Sequence, residues 1–352
     1  MKTLDFYLVR SVISGVLIAL LIISAIDWLG DLFYQVGRMS SGDKFSSVLL
    51  FTVLDIPHKL FEFLPSSLLI GALFSLGQFA ASSELVAVGA SGYSRFRVGM
   101  TSCLAGLLIT MLISVFIEFY VPFSDKLSLS IQQEEDKNIL LASDESYWVR
   151  DQNRFIRVGQ AVSQDLLANV SIYSFDSNDQ IEWLGEAEAA VRQDGQWALK
   201  DFKSSWFSES GVAINNTDDF PMSELFLSRF LQSVSSDPFK MSLKRLSAYI
   251  GYLQENRLDA QEYKVALYKK IAVPFTGLAM LLLALPLVFR PRQLGGAGQR
   301  LFVGIVMALF IYIVVEAITN GVVVYQAPAA IVAFLPASLI LLCALLAFRF
   351  TR

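Results

Sequence analysis

LFVGIVMALFIYIVVEAITNGVV, residues 301–323, holds a single charged side chain, Glu316, in an otherwise apolar run. A hydrocarbon core about 30 Å thick is crossed by roughly 20 residues of helix rising about 1.5 Å each, so a run of this length and character predicts a membrane span. Outward from it, one further stretch qualifies on the C-terminal side, approximately 328–348, and four on the N-terminal side, approximately 266–289, 99–121, 60–81 and 8–33. In chain order these are TM1 to TM6, the quoted stretch being TM5. TM1 follows Lys2 and Arg10 much as the core of a signal peptide would. Its apolar run is too long for one and no small-x-small cleavage signal follows, so a retained helix is predicted.

The composition agrees. Of 352 residues, 54% are hydrophobic and only 17% charged, against roughly 25% charged in an ordinary soluble domain. One His and two Cys exclude a histidine-based metal site and a disulfide-stapled scaffold, and a net charge of −4 argues against nucleic acid as a partner. Cys103 and Cys343 both fall inside spans, where they read as small apolar packing residues.

Between TM3 and TM4 lies a polar insert, about 123–263, that carries most of the acidic residues. The predicted fold is therefore a membrane protein of six transmembrane α-helices with a β-rich, jelly-roll-like domain inserted between TM3 and TM4. Its parts are residues 1–122, 123–263 and 264–352. Lys2, Arg10, Arg95, Arg97, Arg290, Arg292, Arg300, Arg349 and Arg352 fall on one side of the membrane, with only Arg38, Lys44 and Lys59 opposite. By the positive-inside rule both termini are cytoplasmic, and the insert faces the far side, periplasmic in a bacterium.

The insert reads in three pieces. Residues 124–142 lack Gly and Pro and extend TM3 as helix. From Tyr147 come short alternating runs, YWVRD, RFIRVGQAV, NVSIYSFD, IEWLGEAEAAV, QWALKDFKSSWF and GVAI, bounded by turn residues. In NVSIYSF, Val170 and Ile172 face one way, Tyr173 and Phe175 the other, and Asp194-Gly195 signals a hairpin turn. Strands of this length and spacing suggest a jelly roll or sandwich. A second helix, about 243–256, leads toward TM4.

SELVAVGASGYSRFRV, residues 83–98, is the loop between TM2 and TM3. Ser82 or Ser83 can cap a helix start, Glu84 complements the helix dipole, and Gly89 and Gly92 interrupt the helix. Two readings follow. One is an interfacial connector with Arg95 and Arg97 on anionic headgroups; the other is a coupling helix whose Leu85 and Val88 dock in a cytoplasmic ATPase.

That segment, the preceding PHKLFEFLPSSLLIGALFSLGQFAASSE, the six spans and the single insert resemble the LptF/LptG permease family, whose members export lipopolysaccharide from the inner membrane of Gram-negative bacteria. The likeness covers essentially the whole chain. SELVAVGASGYSRFRV is similar to the family's coupling segment, with Gly89 in place of a bulkier residue. NVSIYSF and MSLKRLSAYIGYLQENRLDAQEYKVALYKKIAVPF resemble the LptG branch more than LptF, as does the short run after Phe348.

The resemblance implies a heterodimer with an LptF-like permease, an LptB-like ATPase dimer in the cytoplasm, and an LptC-like bitopic protein receiving the lipid. It assigns ATPase coupling to Ser83, Glu84, Leu85, Val88, Gly89, Ala90, Gly92 and Arg95. The chain itself contains no G-x-x-x-x-G-K-[ST], and GGAGQR at 295–300 lacks the Lys-Ser/Thr pair, so no cofactor is expected in it; ATP and Mg would be bound by the partner ATPase. The resemblance further implies a lipid cavity, for which Phe63, Leu64, Phe310 and Tyr312 are candidate wall residues, with Arg38, Lys59 and Lys270 at a phosphate-binding rim. Ordinary core packing and snorkelling compete with these assignments.

Asp27, Asp31, Glu62, Glu118 and Glu316 lie in or near spans, where charges mark function or pair with neighbours. Asp27 and Asp31 are expected to be partnered by Arg38 or by the acceptor protein, and Glu118 and Glu316 to bond neighbouring helices or cations. Two other classes stay open: a proton-coupled lipid flippase in which Glu118 and Glu316 titrate, and a membrane scaffold without transport.

Overall fold

The computed structural model describes residues 2–39, 44–82, 84–135, 147–151, 153–163, 166–176, 180–193, 196–208, 211–222, 238–289, 297–325 and 327–349. The chain divides into two compact units, one from Met1–Asp125, Pro238–Ser247 and Gln261–Arg352, the other from Lys126–Asp237 and Ala248–Ala260. Its helices are α1 (Lys2–Gly37), α2 (Phe45–Glu62), α3 (Leu64–Ala81), α4 (Glu84–Ala90), α5 (Arg95–Glu135), α6 (Leu243–Glu255), α7 (Gln261–Val288), α8 (Ala297–Tyr325) and α9 (Ala329–Arg349), with a short 3-10 turn over Pro238–Lys240.

Six segments of these helices are long and apolar enough to cross a membrane: Thr3–Gly37, Leu64–Ala81, Arg95–Ser124, Gln261–Val288, Leu301–Thr319 and Ala329–Arg349. They answer one for one to the predicted spans. TM2 needs correction at its start, because the helix predicted from residue 60 breaks at Phe63 and a separate helix, α2, precedes it. Pro65 is the cause. It has no N–H to give the Phe61 carbonyl, so the ladder stops with the Phe63 N–H on the Lys59 carbonyl (3.0 Å) and resumes with Ser67 on Phe63 (2.9 Å).

α3 is the hub of the helical unit, packed against α1, α7 and α8. Leu8, Val12, Val16 and Leu20 form a four-residue ridge along α1 and enter one core with Leu68, Leu69, Leu73 and Leu76 of α3 and Met280, Leu281 and Leu285 of α7. The α1 and α3 backbones touch: a Cβ on Gly71 would lie 2.4 Å from the Val16 Cα. Close approach through small residues is how helices associate in lipid, where apolar burial offers little net gain.

In the other unit, β1 (Tyr147–Asp151), β2 (Arg154–Ser163), β3 (Leu166–Phe175), β4 (Ile181–Gln193), β5 (Gln196–Ser208) and β6 (Gly211–Met222) form one antiparallel sheet in sequence order. The β-rich insert is as predicted. Within it, the described strands pair as a meander, each beside the strand before it in the chain. The predicted alternation in β3 holds, with Val170 and Ile172 buried and Tyr173 and Phe175 half-buried. Ile156, Val158, Leu199 and Phe202 join the buried face, Tyr252 of α6 packs against it, and the Tyr252 hydroxyl donates to the Arg150 carbonyl (2.7 Å). The Asp194-Gly195 turn lies outside the described residues.

Candidate functional site

Polar side chains gather at the two ends of the helical unit. At one end is the loop between α3 and α5. α4 begins at Glu84, which the sequence predicts, and is an exposed single-layer helix too short to stand without anchors. The Ser82 hydroxyl donates to one Glu84 carboxylate oxygen at 2.8 Å. Leu85 and Val88 are half-buried and pack against the chain's own core, so they anchor α4 instead of presenting themselves outward. Glu84, Ala87, Gly89 and Ala90 are the exposed positions. Ser83 lies outside the described residues. Gly92 takes φ +84, a left-handed conformation that favours glycine, and Arg95 is exposed with its guanidinium 5.9 Å from the Phe289 ring.

Sequence reasoning missed Asp5 and Tyr93 here and gave their partner Arg97 to lipid headgroups. Asp5 of α1 accepts hydrogen bonds from the Tyr93 hydroxyl and from Arg97 Nη2, the latter at 2.9 Å. Burial and the neighbouring Asp5 carboxylate both hold the Tyr93 phenol above its ordinary pKa. Only the basic character of Arg97 was visible in the sequence.

At the opposite end of the spans, the structure brings Phe63 and Tyr312 together with ring centroids 6.0 Å apart, and the Tyr312 hydroxyl donates to Glu62 at 3.0 Å. Phe310 is 66% exposed on α8. Leu64 departs from expectation: it is fully buried at the start of α3 and belongs to the core shared with Leu68 and Leu69. Asp27 and Asp31, one turn apart, share Lys59, each 3.1 Å from its ammonium, while Arg38 instead meets the Tyr34 hydroxyl at 3.1 Å. Burial works against the Lys59 charge, yet the two carboxylates outweigh it and raise the pKa above the ordinary lysine range. Lys270 donates to the Met241 carbonyl.

Glu118 and Glu316 do bond neighbours. The Glu118 carboxylate accepts from the Leu243 and Lys244 N–H groups (3.1 and 3.4 Å) and so occupies the N-terminus of α6, where a negative charge is favoured. Glu316 pairs with Lys269 at 3.0 Å. α2 supplies the rest: Asp55 pairs with Lys240 at 2.9 Å, and His58 Nε2 donates to the Lys240 carbonyl at 3.1 Å. Burial lowers the His58 pKa, against the opposing pull of the Lys240 carbonyl and Asp55. Among the described residues no group of three or more His, Cys, Asp or Glu side chains is placed to hold a metal ion.

The sequence matches the family model described as lipopolysaccharide export system permease LptF/LptG over residues 6–350. It is 27% identical over 344 residues to the lipopolysaccharide export system permease protein LptG of Haemophilus influenzae, covering 96% of each chain. It is 24% identical over 341 residues to the protein of the same name from Escherichia coli K12, covering 95% of this chain and 94% of that one.

Proposed function

Because the chain belongs to the LptF/LptG family of lipopolysaccharide export permeases, we propose that it is the LptG-type half of a transporter that draws lipopolysaccharide out of the inner membrane on ATP hydrolysed by a partner. Its partners in this reading are an LptF-like permease, an LptB-like ATPase dimer that holds the ATP and Mg, and an LptC-like bitopic acceptor. Both termini and α4 are cytoplasmic, and the sheet unit is periplasmic. A cysteine at Asn215, an exposed β6 position, should react with a membrane-impermeant maleimide in cells whose inner membrane is intact. Labelling only after that membrane is breached would overturn the topology.

The observation that carries the proposal is α4 itself, a short helix anchored inward by Leu85 and Val88 with Glu84, Ala87 and Ala90 left exposed. A groove in an ATPase receives such a helix, and Glu84 can accept charge-assisted hydrogen bonds from a basic residue there. Ser83, Gly89, Gly92 and Arg95 complete the coupling segment. The lipid wall is built on the Phe63–Tyr312 pair, while Phe310, two residues from Tyr312, offers lipid a different face of α8. An ammonium has three donors, so Lys59 can hold both aspartates and still offer one to a lipid phosphate, with Arg38 and Lys270 nearby in the chain's outward set.

Glu84→Lys sets like charges against each other at that contact, and should reduce ATPase copurification or lipid release per ATP by about tenfold while the sheet unit stays folded. Wild-type copurification, turnover and release together would refute the assignment. Glu118 and Glu316, on which a proton-coupled alternative would rest, have structural partners in the start of α6 and in Lys269.

A further inference from the structure

α4 is held at both ends by the first turns of α1. At its C-terminal end the Gly92 N–H bonds to the Gly89 carbonyl (3.0 Å) and the Tyr93 N–H to the Val88 carbonyl (3.2 Å), the two hydrogen bonds of a Schellman cap. The residue that completes this cap, Tyr93, is only 4% exposed. Its hydroxyl donates to the Asp5 carboxylate of α1, and lies 3.1 Å from Thr101 Oγ1. Arg97 closes the arrangement, with Nη2 2.9 Å from Asp5 and its guanidinium 4.8 Å from the Tyr93 ring. At the other end Tyr7 of α1 packs on Phe79 with ring centroids 5.2 Å apart and brings its hydroxyl to 3.5 Å from Glu84.

α1 and α3 come closest at Gly15 and Gly71, where backbone meets backbone. A Cβ on Gly15 would stand 2.7 Å from the Gly71 carbonyl oxygen. Asp5 precedes this contact by ten residues and Asp27 follows it by twelve, which at about 1.5 Å per residue places them roughly 15 and 18 Å away on opposite arms. Asp27 is the residue that binds Lys59, four positions before the Phe63 ring.

Resting on the coupling role proposed for α4, we infer that α1 is a lever: Asp5 is a positioning residue that fastens α4 to the short arm, Gly15 on Gly71 is the pivot, and Asp27 with Lys59 is the output. A sideways displacement of α4 is returned at Asp27 with nearly the same size and the opposite sense. An ATPase that moves α4 therefore opens or closes the wall at Phe63 and Tyr312 by rocking α1 on its packed ridge against α3.

The test uses the complete transporter in proteoliposomes carrying fluorescent lipopolysaccharide, with ATP hydrolysis and lipid release measured on the same sample. Asp5→Asn removes the ion pair and keeps the shape; ATPase copurification should stay within about twofold of wild type and lipid released per ATP should fall about tenfold. Tyr93→Phe removes one hydroxyl without disturbing the cap and should lose a smaller factor, about threefold. Exchanging the charges, Asp5→Arg with Arg97→Asp, should recover most of the loss that Asp5→Arg alone produces, which a general packing defect would not allow. Wild-type lipid per ATP in Asp5→Asn and Tyr93→Phe, or no recovery in the exchanged pair, overturns the lever. If instead wild-type complex neither retains an ATPase nor releases lipid, the proposed function falls and not this inference alone.

Discussion

α3 and α8 are both spans, and the less greasy of the two is the more buried. Most of the α3 span, 72%, is buried inside the unit; of the α8 span only 17% is. α3 is rich in Ser66, Ser67, Gly71, Ala72, Ser75 and Gly77, whereas α8 displays Phe302, Ile305, Leu309, Phe310 and Ile313 outward. In water the order would be reversed. In a bilayer the large side chains are content in lipid, and the centre goes to the helix whose small residues let backbones approach and whose hydroxyls bond their own carbonyls, as Ser75 Oγ does to Gly71 (2.8 Å). The inner helix holds the unit together, and the outer ones meet what comes from outside.

The sharpest way to break this contrast is Gly71→Leu. The obstacle is the Val16 backbone at 2.4 Å, which has no flexible end to swing aside, so overpacking should cost about 3 kcal/mol and separate α1 from α3. Little protein should reach the membrane; normal levels and unchanged thermal unfolding would remove α3 from its central place. A middle effect is expected at the margin between inner and outer helices. Lys59→Met leaves Asp27 and Asp31 side by side without their shared cation, and since these groups are partly exposed the loss should be about 1–2 kcal/mol. Adding Asp27→Asn should restore much of it; a double variant as unstable as the single would mean that the triad carries no repulsion to relieve. The smallest change belongs to α8. Phe310→Ala should move stability by no more than about 0.5 kcal/mol while lowering photocrosslinking of lipopolysaccharide to neighbouring α8 positions, and a larger loss of stability would show that this face is core after all.

The same contrast explains what could be read in advance. Spans announce themselves through run length, so all six were legible, and so was the β character of the insert, through alternation. Alternation reports which face a residue takes and not which strand lies beside it, hence the meander was not foreseen. α2 was hidden because FSSVLLFTVLDIPHKLFE mixes charges and Pro57 into a modest apolar pattern that is neither a span nor a loop. Of the candidate site, Glu84 and the Phe63–Tyr312 pair were within reach, since each sits in a distinctive local motif. Lys59 with Asp27 and Asp31, and Asp5 with Arg97, join residues far apart in the chain, and nothing local marks such a pair. Leu64 was misjudged for the converse reason: a leucine in an apolar run carries no sign of whether it faces the core.

The sequential order of the sheet bears on how the protein is made. A nascent chain emerges N-terminus first, at roughly 5–20 residues per second, so each strand of the insert takes on the order of a second to appear. A hairpin closes in about 1–10 μs. Every described strand from β2 onward finds its partner in the strand that emerged just before it, so the sheet can zip as it arrives, with no strand waiting for a distant mate. What must wait is the cover. Tyr252 arrives last, after all six strands, and until it reaches the Arg150 carbonyl the apolar face around Val158 and Val170 stands open to whatever holds nascent chains.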